Sequence, residues 1–239
     1  MFNTLITYPL YNALIFLFAF VRDMGVAIIL LTIVVKLIFL RQSVKAEKSR
    51  LELQKLQPEL NKIKDKYKDD KDKQAQAMMA LYKEKNINPF GSCLPTLIQM
   101  PFLIGLFIVF RQGVESGLPL YDFVKNLLGT TPISSISLGF IDLTKIPNTG
   151  WLLIFPILAT VLQYFQMKMM MSKNSSKDAA SSQMNMMSYL MPGLTLWFTL
   201  SLPAGLSIYW ISTTLFAIVQ QIFIDKYEIK HHPELKPKN

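Results

Sequence analysis

The sequence is poor in the residues that most reaction chemistry needs. Cys93 is the only cysteine, so no disulfide can close within the chain and no cysteine cluster can hold a metal. The two histidines, His231 and His232, sit side by side in a polar tail without a third ligand nearby, and no metal site is expected there. The glycine-rich dinucleotide fingerprint, the P-loop pattern and the Gly-x-Ser-x-Gly elbow are all missing. No catalytic residue, cofactor or metal is assigned, and the chain is not read as an enzyme. Charge is scarce too: 17% of the 239 residues, against 51% that are hydrophobic, with a mean hydropathy of +0.30. That balance excludes an ordinary soluble domain.

What is present is a series of apolar runs. A span needs about 20 mostly apolar residues. Five segments meet that need, at roughly Met24–Ser43, Cys93–Arg111, Gly150–Met169, Met187–Leu202 and Ala204–Ile224. The fold class expected is an all-α, polytopic membrane protein with a five-span helical core. Residues 1–22 are apolar and aromatic, but Pro9 and Asn12 interrupt them, and a sixth span would have to reverse at Arg22-Asp23. They are read as a helix lying in the outer interface, with an uncleaved spanning helix as the alternative.

Charge orients the core. Residues 41–88 carry thirteen basic and eight acidic side chains, a net +5. The segment 112–149 is −1, with Lys125 and Lys145 against Glu115, Asp122 and Asp142. The loop at 170–186, with Lys168 on its flank, is positive, and the tail 225–239 is weakly positive. Positive loops stay in the cytoplasm. The N-terminus is therefore expected outside and the C-terminus in the cytoplasm. Within residues 44–90, Leu53, Leu56, Leu60, Ile63 and Tyr67 form a helical apolar seam. The polar run KDDKDK (68–73) reads as a turn, and Ala75, Met78 and Tyr82 share the face of a second helix. The segment is predicted to be a cytoplasmic antiparallel helical hairpin, kinked at Pro58, whose arms bury only each other.

The stretch IILLTIVVKLIFLR (28–41) holds a lysine inside an apolar run. Lys36 either snorkels toward Arg41 or marks a functional site, and both readings stand on the residues alone. Thr32 lies one turn further in. Gln99, Gln163 and Gln166 place amides in two other spans, and Ser212, Thr213 and Thr214 add hydroxyls in the last. Such groups either glue helices together or share a wet inner face, since lipid cannot satisfy them. Met167, Met169, Met170 and Met171 end one span, and Met184, Met186, Met187 and Met191 begin the next. Thioethers suit apolar partners of varied shape, and equally serve as filler.

Two runs are distinctive: NPFGSCLPTLIQMPF (88–102) and LPAGLSIYW (202–210). With the hairpin before the first, their order and spacing resemble YidC-type membrane protein insertases, over about Pro9 to Ile224. The resemblance implies a compact member without a large outer domain, and a polar groove open to cytoplasm and lipid but closed outside. That family has an arginine in the groove where this chain has Lys36, so charge is kept and the bidentate fork lost. By the same resemblance Lys36, Thr32, Gln163 and Trp210 line the groove. Met100, Leu103, Phe198 and Tyr209 border the path by which a nascent helix leaves; Leu103 stands where relatives carry an aromatic. The implied partners are nascent membrane proteins and the lipid bilayer, with the ribosome and a general translocation channel as further ones. No specific nucleic acid is expected, and the location is the cell membrane. The rival readings are a small-molecule or ion transporter with Lys36 as counter-ion, and a membrane scaffold. Internal hydropathy symmetry, which would favour the transporter, is not seen.

Overall fold

The structure, a computed structural model, describes residues 2–88, 91, 94–112, 114–115, 118–170 and 179–231. Cys93, Met171, most of the following loop and the tail from His232 on lie outside the described residues, as do the side chains of Met184, Met186 and Met187. The chain is all-α and polytopic, apart from one two-residue β-hairpin.

A π-helical stretch, Asn3–Thr7, runs without a break into α1 (Tyr8–Val21). The predicted interruption is absent. Pro9 is accommodated inside the continuous helix, directly after the wider π-helical turn. Asn12 is buried with its amide fully used: Nδ2 donates to the Tyr8 and Pro119 carbonyls, and Oδ1 accepts from Tyr121 N. Arg22 then takes a left-handed conformation (φ 58°), and Asp23 caps α2 (Met24–Ile38) by accepting from Val26 N. Two residues therefore suffice to turn the chain, and α1 packs against α2.

The apolar run of the first predicted span is broken. α2 ends at Ile38, and α3 (Leu40–Lys66) leaves it at 68°. Phe39 makes the break with φ −94° and ψ 10°, its ring against Phe102 at 5.8 Å. α3 and α4 (Lys71–Glu84) form the hairpin. Leu56, Leu60 and Leu81 bury one another, flanked by Ile63, Met78 and Tyr82. The turn is shorter than the polar run suggested, because Asp70 accepts from Lys73 N and starts α4 at once. Those hydrogen bonds hold the Asp70 carboxyl below its ordinary range.

The arms do not bury only each other. Arg50, buried on α3, donates to Glu47 and to Asp225 of α9 (Ala204–His231). It and Gln54 also reach the carbonyl of Met170, the last residue of α7 (Ile154–Met170). The base of the hairpin is thus fastened to two helices of the bundle.

α5 (Leu94–Gln112) returns to the opposite end, where the chain from 114 to 153 folds back over the bundle. This is called the loop end below, and the other the hairpin end. α6 (Asp122–Leu128) seats Val124 and Leu128 in the core and packs on α1. β1 (Ile136–Ser137) pairs with β2 (Ile141–Asp142). A 3-10 turn, Gly150–Leu153, leads into α7. α8 (Ala179–Ser201) and α9 complete the bundle, joined by a short turn at Leu202 and Pro203. The main core gathers α1, α2, α5 and α9 around Tyr11, Leu14, Ile28, Leu106 and Leu206.

Three described helices are long and apolar enough to cross a membrane: Asn3–Val21, Gly150–Met170 and Ala204–Tyr227. The bent pair α2 and α3 makes a fourth if counted as one span, and Leu97–Gln112 is apolar but shorter.

Candidate functional site

Two of the four residues expected to line a groove meet directly. Trp210 on α9 donates its indole N–H to Oε1 of Gln163 on α7, at 3.3 Å. Thr32 is buried on α2 and spends its hydroxyl on the Ile28 carbonyl at 2.7 Å, a bond within its own helix. Lys36 lies one turn on, in the last turn of α2 just before the bend. It is half-buried, and no carboxylate among the described residues lies within ion-pair reach of it. The straight helical path to Arg41 assumed from sequence does not exist, because α2 stops three residues before that arginine.

Elsewhere on α5 and α9, polar groups are buried without partners among the described residues. Gln99 Nε2 on α5, and Ser207 Oγ and Gln221 Nε2 on α9, have no hydrogen-bond partner among the described residues. The hydroxyls of Tyr209 and Thr213 lie one turn apart on α9, short of a well-formed bond. Each such group costs about 1–3 kcal/mol if left dry. Unpaired donors on more than one helix suit a face that admits water. Ser212 is satisfied on its own helix through the Ile208 carbonyl.

The expected exit residues divide. Met100 on α5 and Phe198 on α8 are exposed, and Leu103 is half-buried against the core. Tyr209 is 4% exposed, inside the core, and offers no surface to a passing segment. Helical spacing alone could have found its neighbours. Leu97, Met100 and Ile104 make an exposed stripe on α5, and Leu190, Leu194 and Trp197 one on α8. Trp197 is 61% exposed, with its ring 5.0 Å from that of Phe198. α7 and α8 pack extensively and α9 touches both α5 and α8, yet α5 and α8 pack little on each other. Their loop ends meet only around a cavity of about 660 Å³, lined by Phe107, Phe110, Arg111, Ser201 and Leu202 among others.

The loop end is closed by backbone bonds. Ala204 N donates to the Lys145 carbonyl at 2.8 Å and Gly205 N to the Leu143 carbonyl at 2.9 Å. Asp23 accepts from Ser137 Oγ and Leu138 N. Burial pushes the Asp23 carboxyl up, but the hydrogen bonds from Leu138, Val26, Ser137 and Gly25 together outweigh it and hold it below its ordinary range.

This arrangement has relatives. The model of the 60Kd inner membrane protein family matches residues 16–232. The chain belongs to that family. Among its members, the membrane protein insertase YidC of Rickettsia felis is 33% identical over 225 residues, 93% of this chain and 39% of that one. The YidC insertase of Pelodictyon phaeoclathratiforme is 35% identical over 208 residues, 87% of this chain and 34% of that one. A crystal structure of the active YidC insertase, with its first transmembrane domain resolved, superposes with a TM-score of 0.60 at 27% identity. It covers 93% of this chain and 46% of that one. The chain spans about two fifths of the length of the curated family members it matches. Membership agrees with a multi-pass protein of the inner membrane.

Proposed function

We propose that the chain is a membrane protein insertase, guiding hydrophobic segments of nascent proteins into the bilayer. One observation carries this reading: the exposed apolar stripes of α5 and α8 are left unpaired beside a bundle interior with orphaned polar groups. A partner helix that stays would be an ordinary bundle neighbour. A segment that passes needs an apolar flank toward lipid and a polar flank that tolerates its hydrophilic end.

In this scheme the groove is formed by Lys36, Thr32, Gln163 and Trp210, open to the cytoplasm and closed at the loop end. The N-terminus faces outward and the α3–α4 hairpin lies in the cytoplasm. Water in the groove shortens the apolar barrier that a substrate's polar end must cross. Lys36, without an acid partner among the described residues, attracts acidic or polar segments into it. The apolar segment leaves past Met100, Leu103 and Phe198, with Leu97 and Trp197 extending the path. Partition into lipid supplies the driving force, and the membrane potential acts on charged tails. No nucleotide is needed. The ribosome and a general translocation channel fit as partners through the cytoplasmic face and the bundle flank.

Photocrosslinkers at Met100, Trp197 and Thr32 test the reading. Ribosome-bound nascent membrane proteins should crosslink at all three, and a control on the far side of the bundle, at Val161, should give none. Crosslinking at Val161 alone would remove the path. Access from both sides of the membrane to a cysteine at Gln163, in a Cys93→Ser background, would favour a transporter instead.

A further inference from the structure

At the loop end, β1 and β2 are joined by a tight turn whose two central residues are Leu138 (φ 51°) and Gly139 (φ 80°). Phe140 N closes this turn onto the Ser137 carbonyl, within a three-residue loop between the paired Ser137 and Ile141, and positive φ at both central positions is a turn conformation dominated by glycine, asparagine and aspartate. A leucine in the left-handed region is strained and is found where something holds it there. The clasp holds the backbone: Asp23 accepts from Leu138 N and Ser137 Oγ. The strand lies so close to α2 that a Cβ on Gly25 would come within 2.3 Å of Ser137 Oγ. Among the described residues nothing covers the leucine side chain, which is 65% exposed, and Phe140 beyond the turn is 68% exposed.

The surroundings say what lies against them. The Phe140 ring is 5.6 Å from that of Trp151, itself 53% exposed at the start of the 3-10 turn into α7. From Trp151 an exposed apolar stripe continues down α7 through Ile154, Val161 and Phe165. α7 with its leading turn is one of the helices long enough to cross the membrane, so this stripe faces hydrocarbon. The hairpin tip extends the lipid-facing surface by one step, at the level where aromatic side chains collect.

We infer that Leu138, Phe140 and Trp151 form a lipid anchor that seats the hairpin tip in the headgroup boundary of the leaflet at the loop end. The side chains bury their apolar area in the bilayer, which holds a turn that water alone would give to asparagine or glycine. The backbone of the tip keeps its polar partners through Asp23, so entering the boundary leaves no N–H of Leu138 unpaired. The anchor does not depend on the insertase reading, only on α7 crossing the membrane.

The test uses the full chain with Cys93→Ser, reconstituted into phosphatidylethanolamine–phosphatidylglycerol vesicles. Leu138→Cys carries a nitroxide, with Val161→Cys as the lipid standard and Lys125→Cys as the aqueous one. The ratio of oxygen to nickel-chelate accessibility at 138 should be several-fold above that at 125 and approach that at 161. A ratio equal to that at 125 would place the tip in water and overturn the anchor. A label shielded from both reagents would mean that a protein surface covers the tip, and would overturn it equally. Phe140→Cys, outside the strained turn, gives the same readout if the Leu138 variant does not fold.

Discussion

The two ends of this bundle are held together in different ways. At the loop end, fastening is spread over many bonds, several of them between backbone groups. Asn12 pins 119–121, Tyr11 donates to the Val114 carbonyl at 2.9 Å, Asp23 holds the β-turn, and the α8–α9 turn bonds to Leu143 and Lys145. At the hairpin end a long two-helix arm is tied to α9 through Arg50 and to α7 through Gln54 and Arg50. Distributed backbone bonding resists removal of any one side chain. A small side-chain network concentrates the stability of its junction in a few residues, with the buried charge of Arg50 foremost.

The largest effect expected in breaking this contrast is at Arg50. Arg50→Ala leaves Glu47 and Asp225 partly buried without their cation and should cost about 3–5 kcal/mol, as breaking buried ion pairs does. Hydrogen exchange should then speed up along the first turns of α3 and at the end of α9, with the loop end unchanged. Equal exchange at both ends would show that the arginine is not the fastening. Next comes Asn12→Leu, which removes three hydrogen bonds and leaves the Pro119 carbonyl and Tyr121 N–H unpaired; about 2–3 kcal/mol is expected, read as a lower unfolding midpoint in detergent. Gly25→Ala should cost about 1–3 kcal/mol by overpacking against Ser137, unless Ser137→Gly in the double variant restores the loss. The smallest effect is with pH. Asp23 and Asp70 both have lowered pKa values, so the stability they supply is present above the ordinary carboxylate value near 4 and is lost as pH falls through their folded values. Cysteine accessibility at Leu138 should rise on acidification below about pH 4, while Asp23→Asn should remove the pH dependence.

The hairpin seam was legible in the sequence because its contacts are local and periodic: Leu56, Leu60 and Ile63 meet α4 across a short turn. The runs 88–102 and 202–210 carried the family. The bend at Phe39 was not legible, since no glycine or proline marks it and the ring that packs there, Phe102, is 63 residues away. Pro9 misled because a locally widened turn, here the π-helical stretch before it, lets a helix run through a proline, and the sequence does not mark that turn. The Arg50 network joins residues 175 apart, and charge counting over 41–88 treated that arginine as one solvated charge among many. Of the residues expected in a groove, Trp210 and Gln163 come together, whereas Tyr209, expected on the exit path and one residue along the same helix, lies in the core. A one-residue step on a helix turns a side chain by about 100°, which motif spacing does not resolve.

The bend between α2 and α3 makes the hairpin a lever. α3 has 27 residues and is about 40 Å long at 1.5 Å per residue, pivoting at Phe39. A swing of about 10° at that pivot would carry its tip about 7 Å, while Arg50, about 15 Å out, would travel only about 2.6 Å. That shorter travel is already close to the length of a hydrogen bond. The arm therefore cannot sweep without first unpairing Arg50 from Asp225, and the force needed at the tip is reduced by the ratio of the two arm lengths, a little under threefold. A large body pressing on the distal turn would have the mechanical advantage to trip the catch.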